Sequence, residues 1–412
     1  MSASWPKVPL KYLVSKIGSG KTPKGGAEVY TASGVMLLRS QNVHFEGLRL
    51  DDVVHIDETM DEDMASTRVR PNDVLLNITG ASIGRCTVVP SVFEAANVNQ
   101  HVCIIRPKAR RLLPAFLNLV LQSPKIQSEI RFGENGSSRE GLNFEQVGAF
   151  EIPLPPMPEQ VTCVELAQAS VKRVEWLIGA KQDLLTLLAE KRRALIANAV
   201  IRGLNPIVPM RDSGIEWLCK VPAHWQTECT RWLLKEIDDR SEDGSEELLT
   251  VSHLTGVTTR AEKDVNMFLA ESNEGYKRCR AGDLVINTLW AWMGAMGVAR
   301  QDGIVSPAYN VYRPIQAFDP DYLDHLVRTP MFVTEITRYS KGVWSSRMRL
   351  YPEGLYEASM PVPPLHEQVE IVKIIADEVQ RMDALSDATK ATITLLEERR
   401  TALIAQAVAG QD

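Results

Sequence analysis

The side chains with the most legible chemistry lie between Lys341 and Arg349. Lys341, Arg347 and Arg349 flank Trp344, Ser345 and Ser346, a mixture of cations, hydroxyls and an aromatic ring that suits contact with nucleic acid. Lysine, arginine, hydroxyls and backbone amides hold phosphates. Arginine, asparagine, glutamine, serine and threonine read base edges in the major groove. By the same criteria, Lys21, Thr22 and Lys24 on a glycine-rich loop suit phosphate. Arg39, Ser40, Gln41 and Asn42 follow an apolar run, as a strand-end loop would. Asn99, Gln100 and His101 precede the apolar Val102 to Ile105, and Ser137, Ser138 and Arg139 sit in a polar loop. Later in the chain, Ser252 and His253, then Tyr309 and Asn310, complete the set. Ser-Ser-Arg occurs twice, at 137–139 and 345–347. A shared motif cannot encode two different base sequences, so a common backbone-positioning role is expected of those six residues, with a capping or packing role as the alternative. Trp290 and Trp292 occupy the later equivalent of Thr79-Gly80-Ala81-Ser82, where core packing is favoured over base contact.

Catalytic patterns fail on inspection. Gly20-Lys21-Thr22 resembles the end of a phosphate-binding P-loop, but the glycine that pattern requires is Ser15, and Pro23 follows at once. Neither Pro-Pro dipeptide has the Asn or Asp before it that adenine methyltransferases use, since Leu154 and Val362 stand there. Leu142 and Leu350, at matched positions, are read as packing residues. Seven histidines are scattered without ligand spacing, and the six cysteines form no CxxC pair. The expectation is a non-catalytic reader, without a metal site, carrying reduced thiols in the cytoplasm.

The elements that must position these residues come in two copies. Ile152-Pro153-Leu154-Pro155-Pro156-Met157-Pro158-Glu159-Gln160 returns as Met360-Pro361-Val362-Pro363-Pro364-Leu365-His366-Glu367-Gln368, and the register then holds without a gap. A repeat this long is one structural unit used twice. From Glu159 to about Ile201 the apolar residues fall on a heptad: Val164, Val171, Ile178, Leu185 and Ala199 in one column, Ala167, Val174, Leu188 and Leu195 in the other. The second copy has Val372, Val379, Ile393 and Ala407 beside Ile375, Met382, Leu396 and Leu403. Sustained three-four spacing predicts two long helices with coiled-coil seams, paired with each other in preference to each packing on its own domain. Lys181, Arg192, Ser386, Thr389 and Arg400 interrupt the seam with polar groups.

Before each helix a fainter repeat aligns Asp73 to Asn77 with Asp283 to Asn287, Gly84 with Gly294, Arg106-Pro107 with Arg313-Pro314, and Trp5 with Trp225. The framework recurs while the residues between diverge, as expected of one mixed α/β fold carrying two surfaces. The predicted divisions are 1–155 and 206–360 for the two large domains, with 156–205 and 361–412 for the helices. A length of 412 residues accommodates this, and 44% hydrophobic and 24% charged residues are ordinary for a globular chain. No apolar run approaches a membrane span. The net charge of −6 disfavours a protein that coats DNA alone, and the acidic runs 57–63 and 236–247 are expected as solvated loops.

The chain resembles the specificity subunit of type I restriction–modification enzymes along nearly its whole length. The resemblance rests on the boxes Pro155–Gln160 and Pro363–Gln368, on Asp212-Ser213-Gly214-Ile215-Glu216-Trp217-Leu218 running into Val221-Pro222-Ala223-His224-Trp225, and on Ile17-Gly18-Ser19-Gly20-Lys21-Thr22-Pro23. The second half lacks the last of these turns. The resemblance implies two target recognition domains, each reading half of a bipartite double-stranded DNA site, and two helices that pack as an antiparallel coiled-coil spacer and set the gap. It implies two methyltransferase subunits carrying S-adenosylmethionine and modifying adenine at N6. Motor–nuclease subunits using ATP and magnesium would join for restriction, with no cofactor on this chain.

Overall fold

The computed structural model describes residues 5–23, 25–134, 141–260, 272–342 and 348–409. It contains two compact units: Met1–Gln182 with Lys390–Asp412, and Asp183–Thr389. Each long helix contributes to both. Helix α1 spans Met157–Arg202 and helix α2 spans Leu365–Ala409. Pro158 is tolerated in α1 because the first turn has no intrahelical partner for its missing N–H.

The first unit is built on an antiparallel sheet of strands β1 (Val14–Ser19), β2 (Val74–Asn77), β3 (Cys86–Val88) and β4 (Val102–Pro107), in the order β1-β4-β2-β3. The second unit repeats it with β5 (Leu234–Ile237), β6 (Leu284–Asn287), β7 (Met296–Val298) and β8 (Tyr309–Pro314), in the order β5-β8-β6-β7. Register repeats as well: Ile104 pairs with Leu75 in one sheet, Val311 with Val285 in the other. Strands β2, β4 and β6 are buried on both faces over most of their length, which explains their near-continuous apolar runs, whereas β8 is buried only at Val311 and Tyr312. A helix then packs on each sheet, Pro114–Gln122 in the first unit and Pro320–Val327 in the second.

The recurring residues of the sequence make the same contacts in both units. Arg106 forms a bidentate pair with Asp73, both hydrogen bonds 2.7 Å, and Arg313 does the same with Asp283 at 2.8 and 2.7 Å. Each aspartate also accepts a turn N–H, from Arg70 or Arg280. Gly84 and Gly294 adopt φ of +85° and +86°, a left-handed conformation that a side chain disfavours, which accounts for both glycines. The glutamates of the Glu-Gln boxes accept from tryptophan: Trp5 Nε1 donates to Glu159 at 3.0 Å and Trp225 Nε1 to Glu367 at 2.9 Å. The glutamines receive the N–H just before the next helix, Leu113 to Gln160 at 2.8 Å and Asp319 to Gln368 at 2.9 Å. Both boxes thus tie the start of a long helix to its own sheet domain.

The helical seam has the expected face. In the first unit Val164, Ala167 and Val171 share a core with Ile404, Ala407 and Val408, so the start of α1 meets the end of α2. In the second, Leu195, Ile196 and Ala199 share a core with Ile371, Val372 and Ile375, so the start of α2 meets the end of α1. The helices run antiparallel. Polar seam residues have assigned partners: Arg192 pairs with Asp383 at 2.7 Å, and Arg400 with Glu175 at 3.9 Å and Glu46 at 3.4 Å. Thr389 is buried and returns its hydroxyl to the Leu385 carbonyl of its own helix.

Three expectations are corrected or completed here. The acidic run 57–63 is not wholly solvated, because Asp61 is largely buried between Arg68 and the Asn97 amide. The run 236–247 is ion-paired rather than bare: Asp239 and Glu246 both meet Arg278, and hydrogen bonds from Ser241 and Arg278 pull the Glu246 carboxyl down to about 2. Leu142 and Leu350 are core residues. Among the described residues no helix is long and apolar enough to cross a membrane, and no His, Cys, Asp or Glu cluster could hold a metal. All six cysteines are free thiols.

Candidate nucleic-acid interface

An antiparallel sheet places alternate strand ends on one edge. In the first unit the end of β1, the start of β4 and the end of β2 share such an edge, and the loops leaving it carry most of the residues singled out from sequence. Gly20 donates its N–H to Asn99 at 3.1 Å, and a Cβ at Gly20 would fall 1.6 Å from the Val98 carbonyl oxygen. Only glycine permits that approach, which brings Lys21 and Thr22 beside Asn99, Gln100 and His101. The Asn99 N–H in turn donates to Leu38, the residue before Arg39. Asn77 bonds the Ser40 carbonyl at 2.8 Å, and Thr79 bonds the His101 ring at Nδ1. The Leu142 N–H closes the set on the Ile78 carbonyl at 2.8 Å.

These residues divide by exposure. Lys21, Thr22, Gln41 and Gln100 are exposed. Asn42 is fully buried: it accepts from the Arg39 N–H and donates to the Arg49 carbonyl and Asp52, which builds the loop from inside. Arg39 is partly covered and donates to the Asp52 carbonyl at 2.8 Å. Asn99 caps its own turn by accepting from the His101 N–H. Two buried polar atoms, Arg39 Nε and Asn77 Oδ1, have no hydrogen-bond partner among the described residues. Lys24, Ser137, Ser138, Arg139, Trp344, Ser345, Ser346 and Arg347 lie outside the described residues.

The second unit assembles a cluster at the corresponding edge with different side chains. Thr288, just past β6, donates its hydroxyl to the Ala308 carbonyl beside Tyr309 and accepts the Leu350 N–H at 3.0 Å. The latter bond repeats that of Leu142. Lys341 and Arg349 exchange backbone hydrogen bonds of 2.9 Å, so both exposed cations flank this loop. Tyr309 is half-buried, and desolvation raises its phenol above the ordinary range. Asn310 is engaged by the nearly buried Lys277 at 3.4 Å and donates to the Tyr312 hydroxyl. Ser252 and His253 lie on the turn of the hairpin Leu249–Ser252/Gly256–Thr259. Arg328 holds that turn by donating to Leu254 at 2.7 Å, and the hairpin packs on the cluster: Thr250 hydrogen-bonds the Tyr309 phenol, and Val251 and Val257 share a core with Tyr309.

The favoured core placement is overturned for Trp290, whereas Trp292 is half-buried. Trp290 is 50% exposed and its ring stacks on Trp292, centroids 6.2 Å apart and planes 19° apart. The core residue of this turn is Ala291, which is fully buried. A compact turn cannot point three consecutive side chains inward, and the smallest took the inside. Thr79, which anchors His101, was also absent from the sequence-based set, although its place in Thr-Gly-Ala-Ser marked the loop.

The architecture is that of a duplicated mixed α/β protein on a pair of long helices, with a polar loop cluster on each sheet edge. Comparison with known proteins shows what the chain is similar to. Residues 42–175 match the family model of the type I restriction modification DNA specificity domain, the family that the sequence resembles. The EcoBI type I restriction enzyme specificity subunit of Escherichia coli is 29% identical over 146 residues, 35% of this chain and 29% of that protein. An inferred type I specificity subunit, MjaX of Methanocaldococcus jannaschii, is 19% identical over 225 residues, 54% of this chain and 51% of that protein. The chain therefore spans about half the length, or less, of these curated relatives. Among solved structures, a chain studied for complex assembly and conformational transition of the type I R-M system matches 100% of this chain and 99% of its own length. The TM-score is 0.71 at 17% identity. The HsdS subunit of Thermoanaerobacter tengcongensis matches 98% of this chain and 97% of its own, with a TM-score of 0.54 at 18% identity. The fold is the one these chains share.

Proposed function

We propose that this chain is the DNA-specificity subunit of a type I restriction–modification complex. Each loop cluster reads one half of a bipartite site, and the paired helices set the gap and receive two methyltransferase subunits. The chain itself catalyses nothing. S-adenosylmethionine belongs to the methyltransferases, ATP and magnesium to the motor–nuclease subunits, and the complex works in the cytoplasm.

One observation carries this reading. The scaffold contacts repeat nearly atom for atom between units, whereas the loops on the corresponding sheet edge do not. Two different surfaces on one rigid frame suit the recognition of two different half-sites. Exposed Lys21, Gln41 and Gln100 in the first cluster, with Lys341 and Arg349 in the second, supply phosphate and base-edge donors. An overall charge of −6 fits a reader that borrows part of its DNA affinity from partners.

The test is to co-express the chain with a cognate methyltransferase subunit and map methylated adenines genome-wide by single-molecule sequencing. A split motif with a fixed gap is expected, and exchanging residues 1–155 for those of another such chain should change one half alone. Methylation without a bipartite motif, or a stable complex that methylates nothing, would favour a scaffold that joins proteins without reading bases.

A further inference from the structure

The two loop clusters differ most at one place. After β2 the first unit has Thr79-Gly80-Ala81-Ser82, small and hydrogen-bonding. After β6 the second has Leu289, Trp290, Ala291, Trp292 and Met293. Leu289 is 48% exposed, Trp290 50% and Met293 36%, and together with the stacked Trp292 they form an apolar surface on an otherwise polar edge. Scattered exposed apolar residues are ordinary, but a contiguous group containing two indoles marks a contact surface.

The group is held rigidly. The Trp290 N–H donates to Asn287, Met293 and Ala295 both donate to the Trp290 carbonyl, Gly294 donates to Ala291, and Trp292 Nε1 donates to Leu289 at 3.1 Å. Buried Ala291 pins the turn to the core, and Gly294 turns the chain back with its left-handed φ. The turn's backbone and the Trp292 ring are thus fixed in place, with the Trp290 ring stacked on it, an arrangement that lowers the entropy lost on binding. Their position identifies the partner. Thr288, one residue before the group, holds Leu350 beside the cations Lys341 and Arg349, and its hydroxyl holds Ala308 beside Tyr309. An apolar surface beside cations suits the groove of a nucleic-acid duplex, where thymine methyls are apolar and the flanking phosphates anionic.

We infer that Trp290 and Trp292 read the second half-site by apolar contact with its bases, whereas the first unit reads through hydrogen bonds. This rests on the specificity-subunit reading above. Two features of duplex DNA offer that chemistry: the thymine methyl in the major groove, and a base step opened by an inserted ring.

The experiment uses the full chain assembled with its methyltransferase subunits, on duplexes carrying the bipartite motif mapped for the wild-type complex. Trp290→Ala with Trp292→Ala is expected to weaken binding about tenfold or more, and to relax the methylated motif in its second half alone. Trp290→Phe with Trp292→Phe should keep most of the affinity. Substituting deoxyuridine for thymidine in the second half weakens the wild type and not the alanine variant if methyls are read. 2-Aminopurine at that half brightens with the wild type and not with the variant if a step is opened. An unchanged motif and affinity in the alanine variant would overturn the inference and leave the specificity reading standing. So would relaxation of both halves, or indifference to both probes. If the wild-type complex itself yields no bipartite motif, the specificity reading fails, and this inference with it.

Discussion

Trp5 and Trp225 open the two units at matched positions, and each donates its indole N–H to the glutamate of a Glu-Gln box. Yet Trp225 is 2% exposed, whereas Trp5 is half-buried and lines an open apolar groove of about 490 Å³ with Cys163, Ala167, Leu403 and Ala407. The end of α1 packs against the Trp225 ring at Gly203, and side-chain volume on the helices differs in the same direction. The second unit has Ile371 and Ile375 where the first has Cys163 and Ala167, and both isoleucines are 1% exposed. A repeated hydrogen bond thus fixes where each tryptophan sits, while what packs beside it decides how far it is enclosed. The loop edges differ in the same manner: the contacts that define the frame recur, and everything that does not hold the frame has drifted.

The largest effect should come from removing the tryptophans. Trp225→Ala should cost about 3–5 kcal/mol, and Trp5→Ala roughly half as much because less of it leaves water. Equal losses in hydrogen-exchange protection of the two sheets would break the comparison. Next come the buried aspartates. Asp73→Ala and Asp283→Ala each strand an arginine and a turn N–H, at about 3 kcal/mol. The first should be the worse, since the Arg106 side chain is 19% exposed and that of Arg313 is 36%. Urea unfolding followed by fragment-resolved hydrogen exchange would rank them. Gln160→Ala and Gln368→Ala should match one another at about 1–3 kcal/mol, each leaving a helix-entry N–H unpaired; a large inequality would mean that the boxes differ in role.

Smaller effects sharpen the contrast. Cys163→Ile with Ala167→Ile imports the second unit's residues into the first and should stabilise it by about 1 kcal/mol through added burial. A lowered melting temperature would show that the groove is not simply missing methyl groups. Arg192→Ala and Arg400→Ala remove seam ion pairs that remain partly in water, and each should cost less than about 1 kcal/mol. Those losses should shrink further as salt rises in a melting series.

Much of this molecule was legible without coordinates. The duplication, both long helices and their apolar face, and the Asp, Gly and Arg-Pro landmarks follow from spacing alone. Helical period and turn chemistry are local properties, and a repeat reveals itself by identity. The Glu-Gln boxes were equally visible, but not their task, because the groups they bond lie 47 or more residues away in sequence. The candidate recognition residues were legible by type and only partly by place. Asn42 has the chemistry of a base reader, yet the loop folds around it. Ser252 and His253 share a composition with Tyr309 and Asn310, but a separate hairpin turn carries them.

What the chain's order alone determined, then, is the frame: which segments are helix or strand, and that all of it occurs twice. Tertiary structure decided which loops meet at a sheet edge, and which face of a short turn looks outward. The tryptophans of Trp290-Ala291-Trp292 display the reason. Hydrophobicity predicts burial on average, but in this tight turn the inward position is held by the methyl group of Ala291, and the indole of Trp290 lies outside.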